Sequence, residues 1–177
     1  MKQVFNKAIS DQGARFHPTF GVDVRDAGEL PLFETKHNPK VGQFGYTRTN
    51  KDGSRKYHGG IDICGSVGSP IYAAHSGKIS RAGYQVHPGP EGSGFGLRVY
   101  VDGDMVQSLY GHLSGIIISV GDVLVVPGQL IGFMGRSGNL DRLTKTHVHF
   151  EIRLWDEEKK QFMRIDPELW LDWKEST

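Results

Sequence analysis

From about residue 41 onward, glycine interrupts this sequence every few residues, and the intervals between are short runs rich in β-branched and aromatic side chains. Such punctuation excludes long helices, because each interior glycine costs a helix roughly 1 kcal/mol against alanine. It suits strands, where glycine supplies turns, bulges and close backbone approach. Glycine makes up 24 of 177 residues, about twice ordinary usage, and shows no collagen-like period. Residues 70–74, 78–84, 97–101, 106–110, 123–126, 130–134 and 148–154 are the expected strands. Asp102-Gly103 predicts a type I′ hairpin between two of them, since that turn needs positive φ. Pro127-Gly128 marks another turn, and residues 166–173 predict one short C-terminal helix. The fold class expected is mainly all-β, an antiparallel sheet or open barrel.

Residues 1–40 read differently. Pro18, Pro31 and Pro39 stand among charged pieces, which predicts an irregular N-terminal arm or prosegment ahead of a domain at 41–177. That domain is long enough to bury its own core. With 21 basic and 20 acidic residues the formal net charge is +1, which argues against a dedicated nucleic-acid binder. The first ten residues hold no continuous apolar run, so no secretory signal is expected. No stretch approaches the length of a membrane span. A single cysteine, Cys64, excludes an intramolecular disulfide.

Three histidine groups have spacings with chemical meaning. In His147-Val148-His149-Phe150-Glu151, a strand would put His147, His149 and Glu151 on one face and the apolar residues on the other. A surface strand that carries two histidines reads the same way. In His58-Gly59-Gly60-Ile61-Asp62, paired glycines make a poor helix and suit a bend that lets His58 and Asp62 converge; a glycine-rich turn with a solvated aspartate is the alternative. Tyr110-Gly111-His112-Leu113 sits at the end of an apolar run, where His112 is either a base or a turn cap. Taken together, His58, Asp62 and His149 make three ligands and leave a fourth tetrahedral position to water, the pattern of a catalytic zinc site. His112 and His147 then remain to manage protons, and Glu151 suits a partner that orients an imidazole. Zinc would bring the water's pKa towards about 7 and polarise a carbonyl.

These motifs, in this order, resemble the lysostaphin-type zinc endopeptidases that cut peptidoglycan peptides, also called LytM-domain proteins. The resemblance begins at Gly42-Gln43-Phe44-Gly45-Tyr46 and Arg48, and runs through His58-Gly59-Gly60-Ile61-Asp62-Ile63 and Gly68-Ser69-Pro70-Ile71-Tyr72-Ala73-Ala74. It continues in Tyr110-Gly111-His112-Leu113, Val120-Gly121-Asp122, Gly128-Gln129-Leu130-Ile131-Gly132 and Gly135-Arg136-Ser137-Gly138-Asn139. His147-Val148-His149-Phe150-Glu151 and Asp166-Pro167 close it. It implies an antiparallel sheet crossed by a substrate groove, and one zinc ion per chain on His58, Asp62 and His149. It further implies that His112 and His147 assist the water and stabilise the tetrahedral intermediate. The implied substrate is the peptide stems and cross-bridges of bacterial peptidoglycan, with D-alanyl–diaminopimelate or glycyl-glycine bonds cut. Neither nucleic acid nor membrane insertion is implied.

Action on the cell wall or in the periplasm would then need delivery by lysis, by a phage or secretion apparatus, or after removal of an export signal. Two features depart from the family pattern: Lys145-Thr146 stands where Gly-Pro is common, and residues 85–94 are longer than the usual turn. His75 and His87 have no implied role and are expected at the surface. Within residues 1–40, Asn38 could reach the metal and impose latency, but a structural wrap with no regulatory role is the reading preferred. A zinc-binding protein of the same fold without catalysis is the alternative, though such relatives typically lack a ligand or a catalytic histidine, and all five positions are filled here. The hairpin-like piece at residues 120–132 resembles biotinyl and lipoyl carriers in shape only, because its tip has no lysine.

Overall fold

Because the apolar residues alternate along short segments, the chain buries them by pairing strands edge to edge rather than by packing helices. A computed structural model describes residues 15–21, 42–85, 94–121, 124–140 and 144–171. Within these, the strands are β1 (Gly45–Thr49), β2 (Arg55–His58), β3 (Ile61–Cys64), β4 (Pro70–Tyr72), β5 (Gly77–Tyr84) and β6 (Leu97–Asp102). They continue as β7 (Val106–Ile116), β8 (Leu124–Val125), β9 (Leu130–Met134), β10 (His147–Asp156) and β11 (Gln161–Ile165), followed by one helix, α1 (Pro167–Leu171).

Nine strands form one antiparallel sheet in the order β11-β10-β7-β6-β5-β8, with β3 joined to β10 and β9 joined to both β7 and β4. The sheet is not closed into a barrel. β1 and β2 form a separate two-stranded ribbon. β10 is the hub: one edge pairs along β7, and the other is shared, with His147–Phe150 against β3 and Ile152–Asp156 against β11. Ile61, Ile63, Val99, Tyr110, Leu113, Val148, Phe150 and Ile152 fill the core beneath it. The side chain of Trp170 on α1 is fully buried against the same cluster.

The structure corrects three local expectations. The hairpin between β6 and β7 turns at Asp104-Met105, because the Gly103 N–H donates to the Val106 carbonyl at 2.8 Å. None of Gly103, Asp104 and Met105 has positive φ, so the turn is not type I′. Gly103 is needed for space instead: a Cβ there would lie 2.9 Å from the Ser76 carbonyl oxygen. His75 is not at the surface but 1% exposed, with its ring edge-on to Trp170 at 6.2 Å. β7 does not end at Tyr110 but runs through His112 to Ile116. His87 and Asn38 lie outside the described residues.

Of the N-terminal forty residues, 15–21 are described, and they dock on the domain. The Phe16 N–H donates to the Ala74 carbonyl and the Tyr72 N–H to the Pro18 carbonyl, both at 2.8 Å. Arg15 is buried and donates to the Trp170 carbonyl at 3.0 Å.

Candidate metal centre and groove

His58 ends β2 and Asp62 lies in β3, with Gly59-Gly60 bending the chain between them. The bend runs so close to β10 that a Cβ on Gly60 would sit 2.3 Å from the Phe150 carbonyl oxygen. A side chain at that position is excluded by contact with backbone. Asp62 faces His149 directly across the β3–β10 ladder, and His149 is in turn opposite Gly111 of β7. The expected alternation along β10 holds: Val148, Phe150 and Ile152 enter the core, while His147, His149 and Glu151 share the other face.

The three donors converge. His58 Nε2 lies 3.1 Å from Asp62 Oδ1, His149 Nδ1 lies 3.0 Å from the same oxygen, and the two nitrogens are 2.9 Å apart. All three residues are buried. Tetrahedral coordination with bonds of about 2.0–2.2 Å separates ligand atoms by roughly 3.3 Å, so this triangle fits a small divalent cation with slight opening. The remaining ring nitrogens are held as metal-binding imidazoles require. His58 Nδ1–H donates to the Gln43 carbonyl at 2.8 Å, and His149 Nε2–H donates to Glu151 Oε1 at 3.2 Å. Glu151 also accepts from Arg153 and Arg164 at 2.7 and 3.0 Å. Phe95 stacks on the His149 ring at 4.8 Å.

Both carboxyl groups are held ionised, while His149, lowered by burial, is raised overall by its hydrogen bonds to Asp62 and Glu151. Burial works to raise the Asp62 carboxyl, yet hydrogen bonds from His149 and His58 hold it well below the usual carboxylate range. Burial likewise opposes ionisation of Glu151, but His149 and Arg153 bring it down to about 2. Burial lowers His58, with Asp62 opposing.

His112 and His147 stand beside this triangle, with their rings edge-on at 5.0 Å. Each spends Nδ1–H on a backbone carbonyl, His112 on Ser137 and His147 on Lys145, both at 2.8 Å. Each therefore turns Nε2 towards the site, and His147 Nε2 lies 3.5 Å from Asp62 Oδ1. Burial pushes His112 down to about 4, so it is a neutral acceptor at pH 7. The Lys145 carbonyl that orients His147 belongs to the dipeptide that departs from the family pattern.

The five side chains singled out in the sequence thus meet at one place, in a groove of about 610 Å³ also lined by Arg48, Lys56, Tyr57, Phe95, Asn139 and Thr144. The sequence reading assigned no role to Arg48, which donates to Asp62 Oδ2 and lies 3.0 Å from His58 Nε2. Ser137 stood in a motif without a role, and Phe95 was not singled out. A second signal, the three-residue step between apolar Tyr110 and Leu113, marks the irregularity that places His112.

Comparison with known proteins agrees with this geometry. The family model described as peptidase family M23 matches residues 56–163. Glycyl-glycine endopeptidase ALE-1 of Staphylococcus capitis is 39% identical over 95 residues, covering 53% of this chain and 24% of that protein. Peptidoglycan DD-endopeptidase ShyB of Vibrio cholerae is 32% identical over 95 residues, covering 54% of this chain and 20% of that one. The match thus spans a quarter or less of these curated relatives. The solved catalytic domain of lysostaphin from Staphylococcus simulans superposes with a TM-score of 0.56 at 29% identity, covering 73% of this chain and 88% of that domain. With more than half its length matched, from the strand that carries His58 to the one that follows His149, the chain belongs to peptidase family M23.

Proposed function

We propose that the chain is a zinc-dependent endopeptidase that hydrolyses peptide cross-bridges of bacterial peptidoglycan. The observation that carries this reading is one three-donor triangle flanked by two imidazoles whose Nε2 atoms face the same groove. His58, Asp62 and His149 would hold one zinc ion, whose nitrogen and oxygen donors suit that metal. When bound, zinc supplies a Lewis acid that polarises a carbonyl and makes water nucleophilic near neutral pH.

The protein's own groups supply the rest. His112 Nε2 accepts the proton of the attacking water; its Nδ1–H, fixed on the Ser137 carbonyl, keeps the accepting nitrogen aimed at the groove. The same proton then passes to the departing amine nitrogen. His147 Nε2 accepts a hydrogen bond from the water and orients it. Arg48, by holding Asp62 Oδ2, leaves Oδ1 as the ligating oxygen, while Glu151 fixes the His149 ring. The chain would act on the cell wall or in the periplasm, as the names of its relatives suggest. No helix among the described residues is long and apolar enough to cross a membrane.

Purified sacculi of both wall types test the reading, with soluble fragments identified by mass spectrometry and a chelated sample alongside. Chelator-sensitive peptide release is expected and names the bond. His112→Ala should abolish release while retaining zinc by elemental analysis, whereas His149→Ala should lose both. Equal metal loss in the two variants would refute the division of roles. No release by the zinc-loaded wild type would favour a non-catalytic wall-binding protein.

A further inference from the structure

The β1–β2 ribbon forms one wall of the groove and carries an unfavourable arrangement. Arg48 and Lys56 are direct partners in its register, so two cations stand opposite one another across an antiparallel pair. Like charges placed that way destabilise a sheet. Both residues line the groove. Arg48 is engaged with Asp62, but Lys56 has no ion-pair partner among the described residues.

No acid on the described groove surface compensates Lys56. The carboxylates that line it, Asp62 and Glu151, are 1% and 2% exposed and are already held by the histidines and by Arg48, Arg153 and Arg164. Asp52, in the turn of the ribbon, is spent on Ser54, accepting from its N–H at 2.9 Å and its hydroxyl at 2.6 Å. The wall beside the ligand triangle is therefore cationic, and occupancy of the triangle by a divalent cation adds to the positive field. A cationic wall within reach of the reacting bond selects an anion on the substrate.

We propose that Arg48 and Lys56 form a subsite for a carboxylate on the substrate, so that stem peptides bearing a free α-carboxylate beside the scissile amide are preferred over uncharged oligoglycine bridges. Arg48 couples this subsite to the ligand triangle, because the same guanidinium holds Asp62. Lys56 supplies the compact, mobile charge at the groove's edge. The inference rests on the peptidase reading for the identity of the substrate, but the binding it asserts is measurable without turnover.

The test uses two synthetic cross-linked stem peptides that differ only in one group beside the scissile amide, a carboxylate or a carboxamide, with a pentaglycine peptide as a third. Dissociation constants are measured on the zinc-loaded full chain with His112→Ala, and kcat and KM on the chain with His112 intact. The carboxylate peptide should bind about five- to tenfold more tightly than its carboxamide, with the difference in KM rather than kcat. Lys56→Gln should bring the ratio close to one, Lys56→Glu should invert it, and raised salt should shrink it. Lys56 is exposed, and unchanged circular dichroism would show that its variants fold. Equal binding of the two peptides, no binding of either, or a ratio that survives Lys56→Glu would overturn the subsite. Binding discriminated through Lys56 with no cleavage of any peptide would uphold the subsite and sink the peptidase reading.

Discussion

His75 makes the chain lose stability in acid, and the size of the loss follows from its surroundings. It is 1% exposed, its Nδ1–H donates to the Ser76 carbonyl at 2.8 Å, and its Nε2 has no hydrogen-bond partner among the described residues. Burial pushes its pKa down to about 4, with the Ser76 carbonyl and Asp102 opposing. An unfolded histidine titrates near 6.5. Between those values the unfolded chain binds more protons than the folded one, so stability falls as pH falls through that window. A gap of about 2.5 units at about 1.36 kcal/mol per unit corresponds to roughly 3 kcal/mol, an order-of-magnitude value. Urea denaturation followed by tryptophan fluorescence, from pH 7.5 to pH 4 in chelator, measures this for the wild type and for His75→Gln. Chelation lets the ligand histidines titrate alike in both proteins, so their contribution cancels in the difference. The wild type should lose about 2–3 kcal/mol more than the variant between pH 6.5 and 4. Parallel curves would refute the claim that a neutral imidazole is held there. His17, also fully buried and lowered to about 4 by burial, should behave likewise. Both residues lie where the segment at 15–21 docks, so acid should loosen that contact.

Two further outcomes follow from the groups around the site. Glu151→Gln keeps an acceptor for His149 Nε2–H but removes the charge that Arg153 and Arg164 surround; zinc affinity by chelator competition should fall about 10- to 100-fold, with the fold retained. Ser137→Ala removes the hydroxyl that accepts from the Leu97 N–H at 2.9 Å and donates to the Leu113 carbonyl at 2.7 Å. Leaving both backbone groups without that partner should cost about 2 kcal/mol and lower Tm by roughly 4–8 °C, with zinc content unchanged; an unaltered melting curve would count against the clasp.

What the sequence disclosed tracks burial. Strands with one face in the core, such as β5, β6, β9 and β10, announced themselves through β-branched and apolar runs. β1, β2 and β11 did not, because Arg55-Lys56-Tyr57 is solvated and β11 holds one buried residue, Ile165; β3, though buried, was missed because four residues after Gly59-Gly60 are too short to show a period. A ribbon stabilised by backbone pairing leaves no hydrophobic period to read. The ligand set was legible because metal chemistry restricts residue type as well as spacing. The role of Arg48 and the presence of Phe95 were not, since an arginine or a phenylalanine reaches a site by long-range folding and its contacts leave no local mark. His75 was misjudged because nothing near it in sequence reveals that Trp170 packs edge-on against it.

The placement of His112 shows how a break in period, rather than the period itself, can locate chemistry. Tyr110 and Leu113 both lie in the core, three residues apart on one strand. Regular alternation would send them to opposite faces, so one residue between them must be extra. The ladder shows where: Val99 pairs with Tyr110 and Leu97 with Leu113, leaving Gly111 and His112 against Arg98 alone. Without this bulge, His112 would share the face of Tyr110 and point into the core. With it, the histidine turns out to the groove beside His147 and His149, at φ 62°, a left-handed conformation costly for a residue with a Cβ. The strain is held by two fixed contacts, the His112 N–H on the Phe95 carbonyl at 2.7 Å and its imidazole on the Ser137 carbonyl. Bulges re-aim side chains beside active sites for this reason. A glycine at 112 would relieve the backbone but supply no imidazole, whereas Gly111, opposite His149 across the ladder, leaves room for the Phe95 side chain, which a Cβ there would approach to 3.2 Å.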